Sequence, residues 1–403
     1  MRATLQTWLS WLFPAALVVG AATASPRVGS LPLDLSALRG PAPFVALAVV
    51  LPLAWRFRQG RLFYFALGLA GLGVLDRLGF APLGALSGGA VYGAAAFGFP
   101  LAVAALFALG ERGVFTLRGG ARALLWVLPA VAVHEAAIRR PDLLALLGAR
   151  PLALGLSGSL PEPALLAFVV AALAIVTRFA RTRAPECGGA LAALVAAGLA
   201  LNGPERTDLL TTAVVCLGVA VAQASYHMAW LDQLTGLPGR RAFDAQLDQL
   251  GRRYSVAMVD VDHFKKFNDK HGHDVGDDVL RMVARRLARV SGGGRPFRYG
   301  GEEFAVVFPR RSVEAAREPL ERLREAIGGT PFALRKAARP KKKRSGKAGR
   351  GRGAGAGAAT VTVSIGVAER SASHRTPTAV LKAADQALYK AKRAGRNQVQ
   401  SLR

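Results

Sequence analysis

The sequence predicts a multi-pass all-α transmembrane domain followed by an α/β (α+β) domain with a central, mainly antiparallel sheet. Of the 403 residues 52% are hydrophobic, yet the formal net charge is +27. Residues 1–230 contain 17 Arg, no Lys and 9 acidic residues, whereas residues 231–403 contain 36 basic and 17 acidic residues. The apolar, sparsely charged first half excludes both a wholly soluble protein and a disordered one.

The first half contains apolar segments that are long enough to span a bilayer, which takes about 20 residues in a helix. We predict eight of them, at residues 8–24, 41–57, 61–79, 89–110, 121–138, 163–180, 187–202 and 209–229. Arginines are concentrated in alternate loops, and an excess of Lys and Arg marks cytoplasmic loops. We therefore expect a multi-pass protein of the cell (inner) membrane with residues 231–403 in the cytoplasm. The sequence Ala22-Thr23-Ala24 also resembles a signal cleavage site, which leaves a seven-span alternative open.

The second half alternates helical and strand patterns in the order β-α-β-β-α-β-α, after a first helix. The predicted elements are a helix at 241–253, a strand at 255–262, a helix at about 275–290, a hairpin at 296–309, a helix near 312–327, a strand at 360–368 and a helix from Thr376-Pro377 to Gly395. The hairpin turns at Gly300-Gly301, where glycine tolerates positive φ at low cost. This order predicts one antiparallel sheet with helices packed on it.

Acidic residues mark the ends of two strands that we expect to be neighbours. Asp260 and Asp262 end the first strand, and Glu302 and Glu303 follow the glycine turn of the hairpin. Short connections favour pairing of this hairpin with the first strand, which would bring the carboxylates together. Converging carboxylates repel one another unless a cation neutralises them, and hard oxygen ligands favour Mg²⁺. A solvated acidic hairpin tip is the alternative that these residues alone leave open.

Several motifs follow one another through the second half. They are Asp232-Gln233-Leu234-Thr235-Gly236-Leu237, Val259-Asp260-Val261-Asp262-His263-Phe264-Lys265, Asn268-Asp269, Gly272-His273-Asp274-Val275-Gly276-Asp277, Arg298-Tyr299-Gly300-Gly301-Glu302-Glu303-Phe304, Ser364-Ile365-Gly366-Val367-Ala368 and Ala384-Asp385-Gln386-Ala387-Leu388-Tyr389-Lys390-Ala391-Lys392. Together they resemble the GGDEF-domain diguanylate cyclases over about residues 231–403. The resemblance implies a palm-like GGDEF fold and an enzyme that condenses two GTP into cyclic di-GMP with release of two pyrophosphates. A catalytically inactive receptor for GTP or cyclic di-GMP is the alternative.

The resemblance also implies roles for individual residues. Asp260, Glu303 and the carbonyl of Val261 would bind Mg²⁺, or Mn²⁺ in its place. Glu302 resembles the metal-associated residue that assists deprotonation of the ribose 3′-hydroxyl, and Lys265 the lysine that stabilises the transferring phosphoryl group. Substrate contacts are implied for Phe264, Gly300, Gly301, the guanine-reading pair Asn268 and Asp277, and the triphosphate-binding pair Lys392 and Arg396.

One such domain holds one GTP, so the resemblance implies a catalytic homodimer. The last predicted span, residues 209–229, reaches Asp232 with almost no linker. We therefore hypothesise that a rotation or shift of this helix sets the geometry of the dimer.

Two features depart from the family pattern. Many family members have an Arg-x-x-Asp product-inhibition site before the signature hairpin, where this chain has Ser291-Gly292-Gly293-Gly294. We therefore expect weak product inhibition. Residues 334–358 form a basic insertion rich in Gly and Ala, which predicts a flexible loop. A merely solvated loop, contact with anionic lipids and, least favoured, nucleic-acid binding are its open interpretations.

Overall fold

The computed structural model describes residues 11–23, 39–83, 86–111, 113–147, 160–203, 206–333 and 358–402. The chain divides into two compact units, Met1–His227 and Met228–Arg403. Apart from residue 358, the predicted basic insertion at 334–358 lies outside the described residues.

The first unit consists of helices in its described part. They span Trp11–Thr23, Ala42–Arg56, Gly60–Arg77, Gly88–Ala108, Leu117–Gly120, Leu124–Arg139, Pro141–Leu147, Glu162–Thr182 and Glu186–Asn202, with a last helix, Arg206–Trp230, that ends in the second unit. Each of the eight predicted segments overlaps a helix, and for the first segment this refers to its described residues, 11–23. Among the described residues four helices are long and apolar enough to cross a membrane, namely Gly88–Ala108, Leu117–Arg139, Glu162–Thr182 and Arg206–Trp230. Passage through a membrane stays a prediction for all of them.

A buried arginine of the first unit, Arg61, is paired locally. Arg61 is 1% exposed, and its guanidinium donates to the carbonyls of Leu106 and Leu109 near the end of the Gly88–Ala108 helix. Its Nη1 also lies 2.9 Å from a carboxylate oxygen of Glu111. A cation at a helix C-terminus is stabilised by the unpaired carbonyls there. The two cysteines, Cys187 and Cys216, are free and buried.

In the second unit we label the elements in chain order. They are α1 (Arg240–Asp248), β1 (Tyr254–Val261), α2 (Phe264–His271), α3 (His273–Leu287), β2 (Arg295–Gly300), β3 (Glu303–Pro309), α4 (Val313–Gly328), β4 (Phe332–Ala333), β5 (Ala358–Ala359), β6 (Val363–Glu369), α5 (Pro377–Arg393) and β7 (Val399–Leu402). Five strands form one sheet in the order β2-β3-β1-β6-β7, and β4 pairs with β5 in a small second sheet.

Strand β1 lies at the centre of the sheet and is buried along its whole length. Its alternate residues face two different cores because successive side chains of a strand point to opposite faces. Val259 belongs to the core that α3 and α4 cover, whereas Met258 belongs to the core that α1 and α5 cover. Strand β3 pairs with β1 in antiparallel register, with Asp260 opposite Glu303, so the predicted neighbourhood of hairpin and first strand is confirmed.

Three features of the second unit differ from the sequence prediction. Strand β7 was not predicted; it follows α5 and pairs with β6 in parallel, whereas the other three pairings are antiparallel, so the predicted mainly antiparallel sheet is confirmed but is mixed at one edge. Helix α1 ends at Asp248 rather than at residue 253, since the chain turns before the exposed Gly251 to enter β1. Helix α2 was not predicted; at eight residues it is too short for a clear helical period.

Candidate active site

The β2–β3 hairpin and the end of β1 bring the predicted acidic residues together. Asp260 is the second-last residue of β1, and Glu303 begins β3 directly opposite it. Glu302 lies in the turn between Gly301 and β3. Gly301 adopts φ +37°, in the region that glycine populates without a Cβ penalty, so the predicted glycine turn is confirmed. The backbone N–H of Val261 donates to the carbonyl of Glu302 at 3.4 Å and thereby joins the turn to β1.

Asp260 is the buried member of this acidic group. It is 5% exposed, and its Oδ2 lies 2.8 Å from the ammonium nitrogen of Lys392 near the end of α5. Burial raises the pKa of Asp260 above its ordinary value, and the hydrogen bond and charge of Lys392 act in the opposite direction. Lys392 therefore lies beside the carboxylate of Asp260, and its contact with a triphosphate stays a prediction.

The carboxylates of the hairpin repel that of Asp260. Burial, and then the charge of Asp260, raise the pKa of both Glu302 and Glu303. This mutual repulsion is what a divalent cation would relieve, and carboxylate oxygens are the donors that Mg²⁺ prefers. Within the described part of the chain no three acidic, His or Cys side chains are arranged to enclose a metal ion as they stand. The donor chemistry thus fits Mg²⁺, with Lys392 supplying the positive charge beside Asp260 in this structure.

Asp262 has a structural role and does not belong to the acidic group. Its carboxylate accepts hydrogen bonds from the hydroxyls of Thr362 and Ser364 at 2.7 and 2.6 Å and from the backbone N–H of Asn397 at 3.1 Å. These bonds join the end of β1 to the start of β6 and to the chain after α5. Because that chain segment includes Arg396, Asp262 fixes a residue predicted to contact substrate. Arg396 itself is exposed and adopts φ +64°. Its positive charge acts to lower the pKa of Asp260.

The predicted guanine-reading residues lie on two successive helices. Asn268 is on α2 and Asp277 is on α3, separated by a sharp turn at Gly272 with φ +87°. A Cβ on Gly276 would lie 1.8 Å from Oδ1 of Asn268, so only glycine permits this approach. That oxygen is buried and has no hydrogen-bond partner among the described residues. Such an unsatisfied acceptor is costly in a folded protein, so this oxygen has a hydrogen-bonding capacity that no described residue uses.

The remaining residues that were predicted to contact substrate lie partly in the core and partly at the surface. Phe264 begins α2 and is 7% exposed, so it packs in the core rather than facing an open cleft. Lys265 follows it, is exposed, and forms no hydrogen bond or ion pair with another described residue. Gly300 ends β2 and is exposed beside Gly301. Lys265 is therefore free to contact a ligand, whereas Phe264 supports the start of the helix.

A polar clamp lies behind the glycine turn and consists of Asp232, Arg298 and the carbonyl of Gly301. The sequence alone predicted no role for it. The guanidinium of Arg298 contacts both carboxylate oxygens of Asp232 at 2.8 and 2.9 Å and donates to the carbonyl of Gly301 at 2.7 Å. The hydroxyl and backbone N–H of Thr235 also donate to Asp232. Burial alone would raise the pKa of Asp232, but these hydrogen bonds outweigh it and hold the pKa below its ordinary value. The first turn of the second unit is thereby attached to the turn that carries the acidic residues.

The segment at the position of the family's product-inhibition site is a glycine turn with little space for side chains. Gly292 and Gly293 adopt φ +69° and +79°. A Cβ on Gly294 would lie 2.8 Å from the ring of Phe308 and 2.9 Å from Val290. An aspartate at residue 294 would therefore require the core beneath it to shift.

Comparison with known proteins finds a family match in the second unit. The family model for "Diguanylate cyclase, GGDEF domain" matches residues 229–349 and 353–398, and no family matches the amino-terminal half. The response regulator PleD of Caulobacter vibrioides is 40% identical over 183 residues, which are 43% of this chain and 36% of PleD. The diguanylate cyclase VdcA of Vibrio cholerae is 36% identical over 178 residues, which are 43% of this chain and 47% of VdcA. The chain thus spans less than half the length of these curated relatives.

One solved structure matches the same share of this chain as the curated relatives do. The GGDEF domain of DgcB from Caulobacter crescentus, determined in complex with c-di-GMP, is 35% identical. The alignment covers 43% of this chain and 93% of that one, with a TM-score of 0.37.

Proposed function

We propose that this chain, whose residues 229–349 and 353–398 match the GGDEF family model, is a diguanylate cyclase that condenses two GTP into cyclic di-GMP and releases two pyrophosphates. The observation that carries the proposal is the register of β1 against β3, which sets Asp260 opposite Glu303 and beside Lys392. Degenerate receptors that only bind nucleotide need no such set of mutually repelling carboxylates. Relatives with this domain, such as VdcA, are diguanylate cyclases by name.

The acidic group would hold Mg²⁺ through Asp260, Glu303 and the carbonyl of Val261, with Glu302 associated. When bound, the metal supplies neutralisation of phosphate charge and favours ionisation of the attacking hydroxyl. Lys392 and Arg396 add positive charge for the triphosphate, and the exposed ammonium of Lys265 is available to the transferring phosphoryl group. Catalysis of phosphoryl transfer consists mainly of positioning and electrostatic stabilisation, so these few groups suffice.

Selection of guanine is assigned to Asn268 and Asp277. The carboxylate of Asp277 would accept from guanine N1–H and N2–H, which adenine does not offer in that pattern. The unpartnered Oδ1 of Asn268 is a further acceptor at the same place. A site whose polar groups pair with one base rejects another that leaves them unpaired, typically by a factor of about 10⁴.

The active unit in this proposal is a homodimer attached to the cell membrane. One domain binds one GTP, so two domains must face each other to form both new phosphodiester bonds. Four described helices are long and apolar enough to cross a membrane, and the last of them, Arg206–Trp230, ends two residues before Asp232. Arg298 contacts both Asp232 and the carbonyl of Gly301 in the glycine turn. A shift of this helix would therefore be transmitted to the acidic residues through few contacts.

An assay with purified full-length protein tests the proposal. Wild-type protein, Glu303→Ala and the matched surface variant Asp278→Ala are incubated with GTP and Mg²⁺, and pyrophosphate and product are measured. We expect product from wild type and Asp278→Ala and a loss of at least about 10³-fold in Glu303→Ala, as for removal of a principal electrostatic group. GTP binding without pyrophosphate release from wild type would instead identify a receptor.

A further inference from the structure

The end of the central sheet that lies away from Asp260 is covered by arginines. They occupy three loops that precede β1, follow β3 and follow β6, and we call them the arginine face: Arg252, Arg253, Arg310, Arg311, Arg370 and Arg375. Backbone pairing holds these loops together, since the N–H of Arg310 donates to the carbonyl of Arg253 at 2.8 Å and that of Arg370 to the carbonyl of Tyr254 at 3.1 Å. The arginine face is thus a consequence of the strand register.

No described acidic residue neutralises the guanidiniums of the arginine face, and backbone carbonyls hold that of Arg370 in place. Arg370 donates through Nη1 to the carbonyl of Arg252 and through Nε to the carbonyl of Arg375, both at 3.0 Å. None of the six arginines forms a salt bridge with an acidic residue in the described part of the chain. Glu369, the acidic residue nearest in sequence to Arg370, accepts from the backbone N–H of Val313 at 2.7 Å. Six unpaired like charges on one face repel one another and together attract an anionic partner.

Backbone strain accompanies this arrangement. Arg310 adopts φ +61°, a left-handed conformation that glycine or asparagine adopts at lower cost. All positive charges of the arginine face are guanidinium groups. A guanidinium binds carboxylate or phosphate through two parallel hydrogen bonds. The chemistry of the face therefore favours a partner that presents several carboxylates or phosphates close together.

A second copy of the arginine face is disfavoured as the partner by charge. It carries the same six arginines, so two such faces would repel each other.

Nucleic acid is disfavoured by shape and composition. Neighbouring strands lie about 4.8 Å apart, so three loops at the ends of β3, β1 and β6 form a compact patch rather than a stripe that follows a backbone. Apart from His374, the loops contain no aromatic side chain on which a base could stack. A short run of acidic side chains fits a compact cluster of guanidiniums better.

We propose that the arginine face is a docking surface for an acidic segment, rich in Asp and Glu, of another protein. The inference does not depend on the activity of the domain, because all six arginines lie at the end of the sheet away from the carboxylates. It gives the enzyme a contact through which a partner recruits it without covering the active site.

The test measures binding of a fluorescent decaglutamate peptide to detergent-solubilised full-length protein at physiological salt, by fluorescence anisotropy. The first variant combines R252Q, R253Q, R310Q and R311Q. The matched control combines K341Q, K342Q, K343Q and R344Q, which removes the same charge from the basic insertion. Melting temperature and GTP turnover are measured for both variants to show that each remains folded. Duplex DNA and vesicles of anionic lipid are used as competitors.

We expect decaglutamate to bind wild type and the insertion variant equally and the arginine-face variant about tenfold more weakly, because four exposed charge pairs each contribute a small, salt-dependent amount. Three results would overturn the proposal: no binding to wild type at physiological salt, an equal loss in both variants, or displacement of the peptide by DNA or vesicles at lower concentration than by free decaglutamate. An equal loss would assign binding to net charge alone.

Discussion

The clamp formed by Asp232, Arg298 and the carbonyl of Gly301 makes a quantitative prediction. The Arg298 and Asp232 side chains are 14% and 23% exposed, so the contact of Nη1 of Arg298 with both carboxylate oxygens of Asp232 is largely protected from solvent. Asp232→Ala removes that contact and two hydrogen bonds from Thr235, and it leaves a guanidinium with a single partner. Hydrogen bonds to charged groups contribute about 1.5–3 kcal/mol each and are not additive, so we expect a loss of about 2–3 kcal/mol in local stability.

The sign of the pH dependence follows from the lowered pKa of Asp232. A carboxyl whose pKa is lower in the folded state contributes stability that is complete above its unfolded pKa of about 3.9. That contribution is lost as the pH falls through the folded value. The difference between wild type and Asp232→Ala is therefore expected to be constant near neutral pH and to shrink in acid.

Hydrogen exchange with mass spectrometry of the full-length protein measures this effect in peptides that cover residues 295–309. A double-mutant cycle with Arg298→Ala should give a coupling energy of about 1–2 kcal/mol, since the two side chains contact each other directly. Asp278→Ala is the control, because its pair with Arg281 is 45–55% exposed and is expected to contribute less than about 0.5 kcal/mol. Equal protection in Asp232→Ala and Asp278→Ala, or strict additivity in the cycle, would refute the reasoning.

Three further predictions follow from the site. The raised pKa of Glu303 means that its stabilising contribution is present below its unfolded pKa of about 4.3 and is lost as the pH rises through the folded value. Glu303→Gln should therefore raise the melting temperature without Mg²⁺ and GTP by about 2–4 °C, with allowance for partial exposure, and a lower value would contradict this. Micromolar cyclic di-GMP should leave the initial rate unchanged, and a rate halved at micromolar product would refute this. Gly294→Asp should lower the melting temperature, because the new Cβ would lie 2.8 Å from Phe308. Inserting one to four residues after Ala229 should change turnover with the period of a helix, and a uniform response would exclude coupling through the last helix.

The sequence was sufficient where one local signal determines one local structure. The hairpin at Gly300-Gly301 and the last helix with its Thr376 cap were placed within one or two residues, because a glycine at positive φ and an N-terminal cap are local events. The convergence of Asp260 with Glu303 also followed, since a short hairpin pairs with its neighbour. These are the parts of the fold on which the candidate site depends.

Long-range pairings could not be obtained in this way. Strand β7 is four residues long and joins β6 in parallel only because α5 returns the chain to that edge. The bonds from Thr362, Ser364 and the Asn397 backbone to Asp262 join residues about 100 or more positions apart, so its structural role was open in the sequence. The contact of Arg298 with Asp232 could not be predicted either, because the two residues are 66 positions apart in the sequence.

The most direct test of the account is the stoichiometry of the reaction with purified full-length protein, GTP and Mg²⁺. We predict two pyrophosphates for each cyclic dinucleotide formed, and no product when Asp260 is replaced by Asn. Release of GDP and inorganic phosphate, or an undiminished yield from Asp260→Asn, would contradict the claim that Asp260 and Glu303 together form the catalytic centre.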